Sequence, residues 1–297
     1  MTAQLDIFRA CYADIPIRDQ RDLMERPFFS LAKTPRTQPI DYDVSGVRVR
    51  VTPNSDHGIA TIWDADILIW AATQITEAMD RGGETSPRIQ FHPYSLLKAI
   101  RRSPSGENYK RLLDALRRLN STYVETNIRP RGNRRRTAGF TWISTWETLE
   151  DKDGKPIGMT MTLPDWLYEG IRQGGGVLSI HEDYFLLKGG IERWLYRVAR
   201  KHAGQQEGGW QFTMRQLYEK SGSTARFSDF ALDVRKVVKA NGLPEYSLRI
   251  AKNGEGEEVA HMIRRNFLSV ADPHFEAQRS PRRRQGSGIK AKAIRFA

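Results

Sequence analysis

The sequence contains a single cysteine, Cys11, among its 297 residues. A disulfide framework and a cysteine-based zinc site both need several thiols, so one cysteine excludes them and suits a reducing compartment. No apolar run approaches the roughly 20 residues that a membrane-spanning helix requires. Residues 1–22 also lack the basic start and apolar middle of a signal peptide. We therefore expect a cytoplasmic protein that makes no contact with membranes.

The motifs of several nucleic-acid enzymes are missing as well. The chain has no G-x-x-x-x-G-K-[ST] segment, which a P-loop ATPase or helicase uses to hold phosphates. None of its six histidines forms the His-x-His metal pair of rolling-circle nickases. His261 and Arg264 match the His-x-x-Arg spacing of tyrosine recombinases, but no tyrosine nucleophile follows Tyr246. We therefore predict a protein without enzymatic activity, cofactor or metal.

Charge is abundant and unevenly distributed. Lys and Arg number 47 against 35 Asp and Glu, a formal net charge of +12. Residues 98–136 hold 12 basic and 3 acidic residues, and residues 188–250 hold 12 and 6. Residues 279–297 carry seven basic residues and no acidic one. Basic zones separated by acidic ones are typical of proteins that bind the phosphate backbone of nucleic acid.

The first half of the chain has the element order of a winged helix. Residues 63–83 place apolar side chains at helical spacing, and a second helix begins at Pro93. Residues 103–120 form the most regular helix, with apolar residues at i, i+3, i+4 and i+7. Alternating segments at 121–128 and 137–149 then flank an arginine-rich loop. In a winged helix the last helix enters the major groove and the hairpin, or wing, lies along the backbone. We therefore predict that the arginine-rich loop is the tip of a wing.

The second half repeats the first at an offset of 121 residues. Leu96 and Leu217 correspond at this offset, and so do Leu113 and Val234. A basic helix again follows a shorter one, over residues 224–242, and two strands come after it. Recurrence of one element order at a fixed offset indicates a duplicated structural unit.

We therefore predict an α+β protein built from two tandem winged-helix domains with similar topology. Residues 1–25 are expected to form an N-terminal arm, residues 26–176 the first domain and residues 177–278 the second. The glycines at 174–176 are the predicted hinge between them. Residues 279–297 are expected to be a basic, disordered tail that adds nonspecific affinity.

The predicted DNA-binding surface is the exposed side of the last helix of each module, at 103–120 and 224–242, together with the arginine-rich loop. Basic side chains there can reach phosphates and guanine edges, and Asn108 can pair with adenine. In the first domain the candidates are Arg101, Arg102, Asn108, Lys110, Arg111, Arg117, Arg118, Arg129, Arg131, Arg134, Arg135 and Arg136. In the second domain they are Arg226, Ser228, Arg235, Lys236 and Lys239. The alternative for each set is a solvated surface without function.

The tip of the second hairpin, residues 252–258, carries three glutamates and one lysine. Carboxylates are repelled by phosphate, so this wing is predicted not to lie on DNA. The two modules are therefore expected to dock differently.

Several segments resemble the plasmid replication initiator protein A family, whose members belong to the tandem winged-helix initiators that bind iterated origin repeats. The likeness is carried by RPFFSLAKTPR at 26–36, VRVRVTP at 47–53, GIATIWDADILIWAATQI at 58–75, ERWLYRVARKHAG at 192–204, FHPYSLLKAIRR and YKRLLDALRRLNSTYVETNIR. It extends over about residues 15 to 275.

The resemblance implies double-stranded DNA as the partner of this chain. Such a protein binds direct repeats at the origin of its plasmid, helps to open neighbouring A·T-rich DNA and recruits host replication proteins, including the host initiator and the replicative helicase. The resemblance also implies homodimers that repress their own gene beside monomers that bind the repeats.

Two other functions stay open at this point. A transcriptional regulator built from the same modules would bind an inverted repeat as a stable dimer and would never melt DNA. A partition adaptor would work mainly through protein contacts.

Overall fold

The computed structural model describes residues 7–129, 137–152 and 156–277. Within these residues the chain forms seven α-helices: α1 (Ala65–Asp80), α2 (Pro93–Ala99), α3 (Gly106–Ser121), α4 (Asp165–Arg172), α5 (Gly190–His202), α6 (Met214–Ser221) and α7 (Phe227–Ala240). The strands of the same residues are β1 (Phe8–Arg9), β2 (Arg18–Gln20), β3 (Ile40–Val44), β4 (Val47–Thr52), β5 (Arg88–Phe91), β6 (Tyr123–Thr126), β7 (Ala138–Thr141), β8 (Thr145–Glu150), β9 (Pro156–Thr162), β10 (Val177–Ser179), β11 (Trp210–Thr213), β12 (Tyr246–Lys252) and β13 (Glu258–Arg264).

The first winged helix consists of α1, β5, α2, α3, β8 and β9. Its sheet has the order β5–β9–β8 with antiparallel pairing, and β1 adds to β5 in parallel. The helix α1 is almost wholly buried, and its Trp70 packs on Phe91 of β5 with ring centres 5.2 Å apart. Pro93 occupies the first turn of α2, where its missing N–H leaves no hydrogen bond unmade.

The predicted apolar stripe of α3 is its buried side. Leu112, Leu116 and Leu119 are at most 2% exposed. Ser105 caps the helix by accepting a hydrogen bond from the backbone N–H of Asn108. Because the apolar side packs inward, the side that carries Lys110 and its basic neighbours faces solvent.

The second winged helix repeats this order with α5, β11, α6, α7, β12 and β13. Its sheet order, β11–β13–β12, corresponds strand for strand to β5–β9–β8. The strands β5 and β11 begin at residues 88 and 210, and the helices α3 and α7 begin at residues 106 and 227. These spacings reproduce the repeat found in the sequence. The prediction of two tandem winged helices with similar topology is confirmed.

The arginine-rich loop, however, does not belong to a wing. It joins β6 to β7, and this hairpin pairs with β4 in a separate sheet of order β3–β4–β6–β7. The wing of the first module is the next hairpin, β8–β9, because β9 is the partner of β5. The predicted strand at 137–149 is therefore two strands that belong to different sheets. Between them lies Trp142, which is buried and stacks on Phe29 with ring centres 4.8 Å apart.

The two modules meet across buried ion pairs. On α5, Arg193 donates a hydrogen bond of 2.7 Å to Asp66 of α1, and Arg197 donates one of 2.7 Å to Asp19 of β2. These four side chains are at most 3% exposed. The strand β2 pairs antiparallel with β10, which lies just ahead of the second module. The segment predicted as an arm thus contributes to the packed core through β2.

The predicted hinge at residues 174–176 is a turn in which Gly176 is buried, whereas Gly174 and Gly175 are exposed. The carbonyl of Gly176 accepts a hydrogen bond of 2.8 Å from the backbone N–H of Arg21. A Cβ on Gly176 would lie 2.0 Å from the carbonyl oxygen of Gly170, so only glycine fits there. This turn joins the end of α4 to β10 and holds both against the residues that follow β2.

Candidate nucleic-acid interface

The solvent side of α3 presents Lys110, Arg111 and Arg117. Arg111 donates to Glu107 at 2.5 Å and Arg117 to Asp114 at 2.7 Å, one helical turn away in each case. Such exposed ion pairs contribute little free energy, so a phosphate or a guanine edge can replace the carboxylate. Lys110 has no carboxylate within 4 Å among the described residues. The predicted exposure of these three side chains is confirmed.

Asn108 lies at the start of α3, half-buried. Its Nδ2 donates to the carbonyl of Ser103 at 2.8 Å and to the Oγ of Ser103 at 3.0 Å. The amide therefore closes the turn between α2 and α3 and is held at the N-terminal end of the helix.

Arg102 and Arg118 were expected on the solvent side, and the structure turns both inward. Arg118 donates to both carboxylate oxygens of Asp64 at 2.8 Å, and Arg102 donates to Asp66 at 2.9 Å. The side chains of the two arginines are 26% and 25% exposed, and those of Asp64 and Asp66 at most 3%. Each guanidinium neutralises a carboxylate that has left water. Arg118 thereby fixes α3 to the start of α1, and Arg102 fixes the turn between α2 and α3 to α1.

Burial raises the pKa of Asp66, whereas Arg193 and Arg102 act against this by favouring the ionised carboxylate. The hydrogen bonds from Arg118 to Asp64 raise the pKa of the Arg118 guanidinium. A guanidinium stays charged in either case, so these arginines form fixed ion pairs with the buried carboxylates.

Arg129, predicted as part of the DNA-binding loop, is also turned into the protein. Its guanidinium lies 3.8 Å from the ring centre of Trp166 and donates to the backbone carbonyl of the same residue. Its Nε donates to Asp22 at 2.5 Å. The backbone of Arg129 is left-handed, with φ of +62°. Arg129 therefore anchors the base of the arginine-rich loop. The other candidates of this loop, Arg131, Arg134, Arg135 and Arg136, lie outside the described residues.

Arg101 lies at the end of α2, with a left-handed φ of +58°. Its exposed guanidinium pairs with Glu182 at 2.5 Å. Glu182 belongs to the short 3-10 segment Glu182–Leu186 that leads to the second module. Arg101 thus connects the corner of the first helix-turn-helix unit to the neighbouring module.

On α7 all five candidates are exposed: Arg226, Ser228, Arg235, Lys236 and Lys239. Arg235 donates to Glu258 of β13, with Nε at 2.9 Å from Oε1 and Nη2 at 2.5 Å from Oε2. This pair lowers the pKa of Glu258 and raises that of Arg235. Lys236 pairs with Asp233 at 2.9 Å, and Arg226 with Asp229 at 3.6 Å. The helix is therefore basic but largely self-neutralised.

Both wings are acidic, which the sequence did not reveal. The first wing region, residues 147–155, has four carboxylates and two lysines, a net charge of −2. The second, residues 252–258, has three carboxylates and one lysine, also a net charge of −2. The prediction that the two wings differ in charge is wrong, because the basic loop belongs to a hairpin inserted between α3 and the wing.

Five of the candidates line one cleft at the start of α3: Arg101, Arg102, Asn108, Arg111 and Arg118. The same cleft is lined by residues that the sequence did not single out, among them Lys33, Lys188 and Arg193. They are far from α3 in sequence and carry no local motif. Their placement depends on the contact between the modules.

The family to which this chain belongs is known from comparison. The model of the family described as "Replication initiator protein A" matches residues 18–248. The chain belongs to the replication initiator protein A family. The resemblance seen in the sequence is therefore confirmed, and the family assigns the chain a role in the initiation of replication.

A related protein supports the assignment. The "Putative replication protein" of Wigglesworthia glossinidia brevipalpis is 37% identical over 229 residues, which are 76% of this chain and 82% of that protein.

Solved structures support the fold of this initiator. A crystal structure of selenomethionine derivatives of domains 2 and 3 of RctB aligns with a TM-score of 0.58 at 14% identity, over 79% of this chain and 94% of that chain. A second crystal structure of RctB domains 2-3 aligns with a TM-score of 0.51 at 15% identity, over 82% of this chain and 95% of that chain. Because the identity is so low, this likeness concerns the fold alone.

Two further findings apply to the described part of this initiator. No group of three or more His, Cys, Asp or Glu side chains within it is placed to hold a metal ion. No helix within it is long and apolar enough to cross a membrane.

Proposed function

We propose that this initiator binds duplex DNA at the repeated sequences of a replication origin, with α3 and α7 as its two recognition helices. The observation that carries the proposal is the repeated topology. In each module the second helix of the helix-turn-helix unit, α3 or α7, has exposed cationic side chains on its solvent side. In a helix-turn-helix unit this helix lies in the major groove and its N-terminal residues reach base edges. Lys110 and Arg111 occupy that position on α3.

The acidic wings shape how the modules would dock. A carboxylate near the DNA backbone is repelled, so neither β8–β9 nor β12–β13 is suited to clamp phosphate. The helices and the arginine-rich hairpin between β6 and β7 then carry the contacts. In this arrangement the arginines of the hairpin position the protein, while α3 and α7 supply sequence readout.

The finer roles are proposed on the strength of family membership. They are opening of the A·T-rich DNA beside the repeats, recruitment of the host replication initiator and the replicative helicase, and an exchange between monomers on the repeats and homodimers that repress the gene. The protein would act by binding, without catalysis of its own.

A footprint on the DNA that flanks the gene tests the proposal. We expect protection of direct repeats by the full-length protein, and at least a tenfold weaker affinity for the double variant Lys110→Ala/Arg111→Ala, because a good base contact is worth about 1–3 kcal/mol. The matched control is Lys152→Ala/Lys252→Ala, which removes two exposed cations from the acidic wings and should bind as the wild type does.

The same experiment separates the alternative functions. Protection of one inverted repeat, together with failure of a plasmid carrying this gene and its flanking DNA to replicate in a permissive host, would identify a transcriptional regulator instead. Absence of any sequence-specific protection would point to a protein adaptor.

The arginine-rich loop has its own test. Replacing Arg134, Arg135 and Arg136 with alanine should weaken binding to all sequences alike and reduce the log–log salt slope by about 2.7, at roughly 0.9 for each phosphate contact. An unchanged slope in a folded variant would show that these arginines are only solvated.

A further inference from the structure

A cleft opens at the contact between the two modules, and we name it the junction cleft. Its volume is about 770 Å³. One wall is the corner between α2 and α3 with the first turns of α3, including Arg101 and Arg111. The other wall is the segment before α5, including Leu186 and Lys188, and Lys33 of the N-terminal segment closes one side. The cleft is therefore built jointly by both modules.

The junction cleft is strongly basic. Seven cationic side chains line it: Lys33, Arg101, Arg102, Arg111, Arg118, Lys188 and Arg193. Four carboxylates pair with members of this set, namely Asp64, Asp66, Glu107 and Glu182. A fifth carboxylate, Glu192, accepts from the backbone N–H of Lys188 at 3.1 Å. Seven cations against five carboxylates leave two positive charges, and a site with such an excess attracts anions.

Within the described part of the chain, the lysines of the rim form no ion pair, whereas the arginines of the floor are paired with buried carboxylates. Lys33 and Lys188 are exposed, and the Nζ of neither forms an ion pair within 4 Å among the residues that the structure describes. The carboxylate of Glu192 accepts a hydrogen bond from the backbone N–H of Lys188 instead. Below them, Arg118 and Arg193 are held by the buried Asp64 and Asp66. Arg193 also donates to the backbone carbonyls of residues 185 and 187. The floor is therefore rigid, whereas the rim lysines are free to meet a ligand.

The ring of Trp63 holds the rim close to the floor. The Nζ of Lys33 lies 5.5 Å from its ring centre, and the Cζ of Arg193 lies 5.9 Å from it. One cation of the rim and one of the floor thus lie near the same aromatic ring. This arrangement keeps Lys33 at the cleft without pairing it with a carboxylate.

We propose that the junction cleft receives the phosphate backbone of the DNA duplex whose major groove is read by α3, with Lys33 and Lys188 as phosphate contacts. The inference rests on the proposed function. The first residues of a recognition helix lie at the base edges, and the sugar-phosphate strand that borders the groove passes beside them. Here the space beside the first turns of α3 is the cleft. Lys188 comes from the second module's side, so the affinity of the first module for DNA depends on how the two modules are placed.

The salt dependence of duplex binding by the full-length protein tests the inference. The probe is a duplex selected from random sequence by the wild-type protein. The variant Lys33→Ala/Lys188→Ala should lower the log–log salt slope by about 1.8, at roughly 0.9 for each contact, and weaken binding at physiological salt roughly tenfold or more. Lys152→Ala/Lys252→Ala is the matched control, since it removes the same charge from the acidic wings and should leave the slope unchanged.

Each other result has a definite meaning. If the wild type selects no duplex and shows no salt-dependent binding, the proposed function itself fails. If the wild type binds and the double variant keeps its slope and affinity, the junction cleft does not hold the backbone. If inorganic triphosphate binds the wild type, is lost from the double variant and the DNA slope is unchanged, the cleft is a small-anion site and the inference is overturned. Thermal unfolding of both variants shows whether they are folded.

Discussion

Arg118 of α3 donates two hydrogen bonds of 2.8 Å to the two carboxylate oxygens of Asp64, at the start of α1. Asp64 also accepts from the backbone N–H of Thr61 at 2.8 Å and from its Oγ1 at 3.0 Å. The carboxylate is thus buried, and both of its oxygens accept hydrogen bonds. An arginine that looks in sequence like a DNA contact is in the structure the partner of a buried acid.

Arg118→Ala should therefore act on stability more than on DNA contact. We expect it to lower the free energy of unfolding by about 3 kcal/mol, because it leaves a buried carboxylate without its counter-charge. Arg117→Ala, one residue away, removes an exposed ion pair and should cost less than about 1 kcal/mol. Urea unfolding at pH 7 measures both. Equal losses would show that Asp64 does not depend on Arg118.

A companion variant separates stability from charge. Asp64→Asn removes the acid and leaves every cation in place, yet it should destabilise by a similar amount because Arg118 then lacks its partner. A fully stable Asp64→Asn would contradict the assignment of this pair to the core.

These residues show what the sequence can and cannot predict. The helices of both modules were predictable because their apolar side chains recur at a period that only a helix buries on one side. The direction of a charged side chain was not, since Arg118 lies about two turns after Arg111 on the same side of α3 and yet turns inward to Asp64. The missed signal was the pair Asp64 and Asp66, two carboxylates inside an otherwise apolar segment, which require cations from elsewhere in the fold.

The prediction that the arginine-rich loop is the tip of a wing was wrong for a different reason. Strand pairing is a long-range property, so the order helix, strand, loop, strand cannot show which strand a hairpin joins. β6–β7 pairs with β4 and β8–β9 with β5, although both hairpins follow α3 in the chain. The length of the segment between α3 and β9 was the available clue, since the second module has no inserted hairpin there. The junction cleft was equally out of reach, because its walls come from segments that are far apart in the sequence.

The effect of Gly170→Ala on stability should change sign when Arg129 is removed. A Cβ on Gly170 of α4 would lie 2.1 Å from Nη1 of Arg129, so alanine must displace the guanidinium from Asp22 and Trp166. Gly170→Ala should destabilise by about 1–2 kcal/mol, as overpacked sites do. In the background of Arg129→Ala the same change should stabilise by about 1 kcal/mol, because alanine is the better helix former and the clash is gone.

A double-mutant cycle in urea measures this coupling. Gly174→Ala is the control, because a Cβ there meets no atom within 4 Å. If Gly170→Ala had the same effect in both backgrounds, Arg129 would not occupy the space beside α4.

Glu25 makes the stability of the protein depend on pH. Its carboxylate lies 2.8 Å from Nζ of Lys201, 2.7 Å from Nε2 of His202 and 3.2 Å from Nζ of Lys220, and it is 7% exposed. Burial alone would raise the pKa of Glu25, but the hydrogen bond from His202 and the lysine charges outweigh it and hold the pKa well below its usual range.

A depressed folded-state pKa stabilises the protein above the unfolded value of about 4.3, and this contribution is lost as the pH falls below it. Glu25→Gln should therefore cost about 3 kcal/mol at pH 7, and its difference from the wild type should shrink between about pH 5 and pH 3. Urea unfolding over that range measures the difference, with the exposed Glu84→Gln as control. A difference that does not change with pH would show that Glu25 is already protonated or unpaired at neutral pH.

Glu258 of the acidic second wing holds Arg235 of α7 by two hydrogen bonds, at 2.9 and 2.5 Å. If α7 enters a DNA groove, the carboxylate of Glu258 repels phosphate and also keeps the guanidinium of Arg235 from contacting it. Glu258→Gln should therefore bind duplex DNA more tightly, with the log–log salt slope increased by about 0.9, the value of one additional phosphate contact. Stability should change by less than about 1 kcal/mol, because the ion pair is exposed.

Glu84→Gln, which makes the same charge change in the loop after α1, is the control for net charge. Fluorescence anisotropy over a salt series distinguishes the outcomes: a slope that rises only for Glu258→Gln supports α7 as a recognition helix, and equal slopes for both variants would place α7 away from DNA.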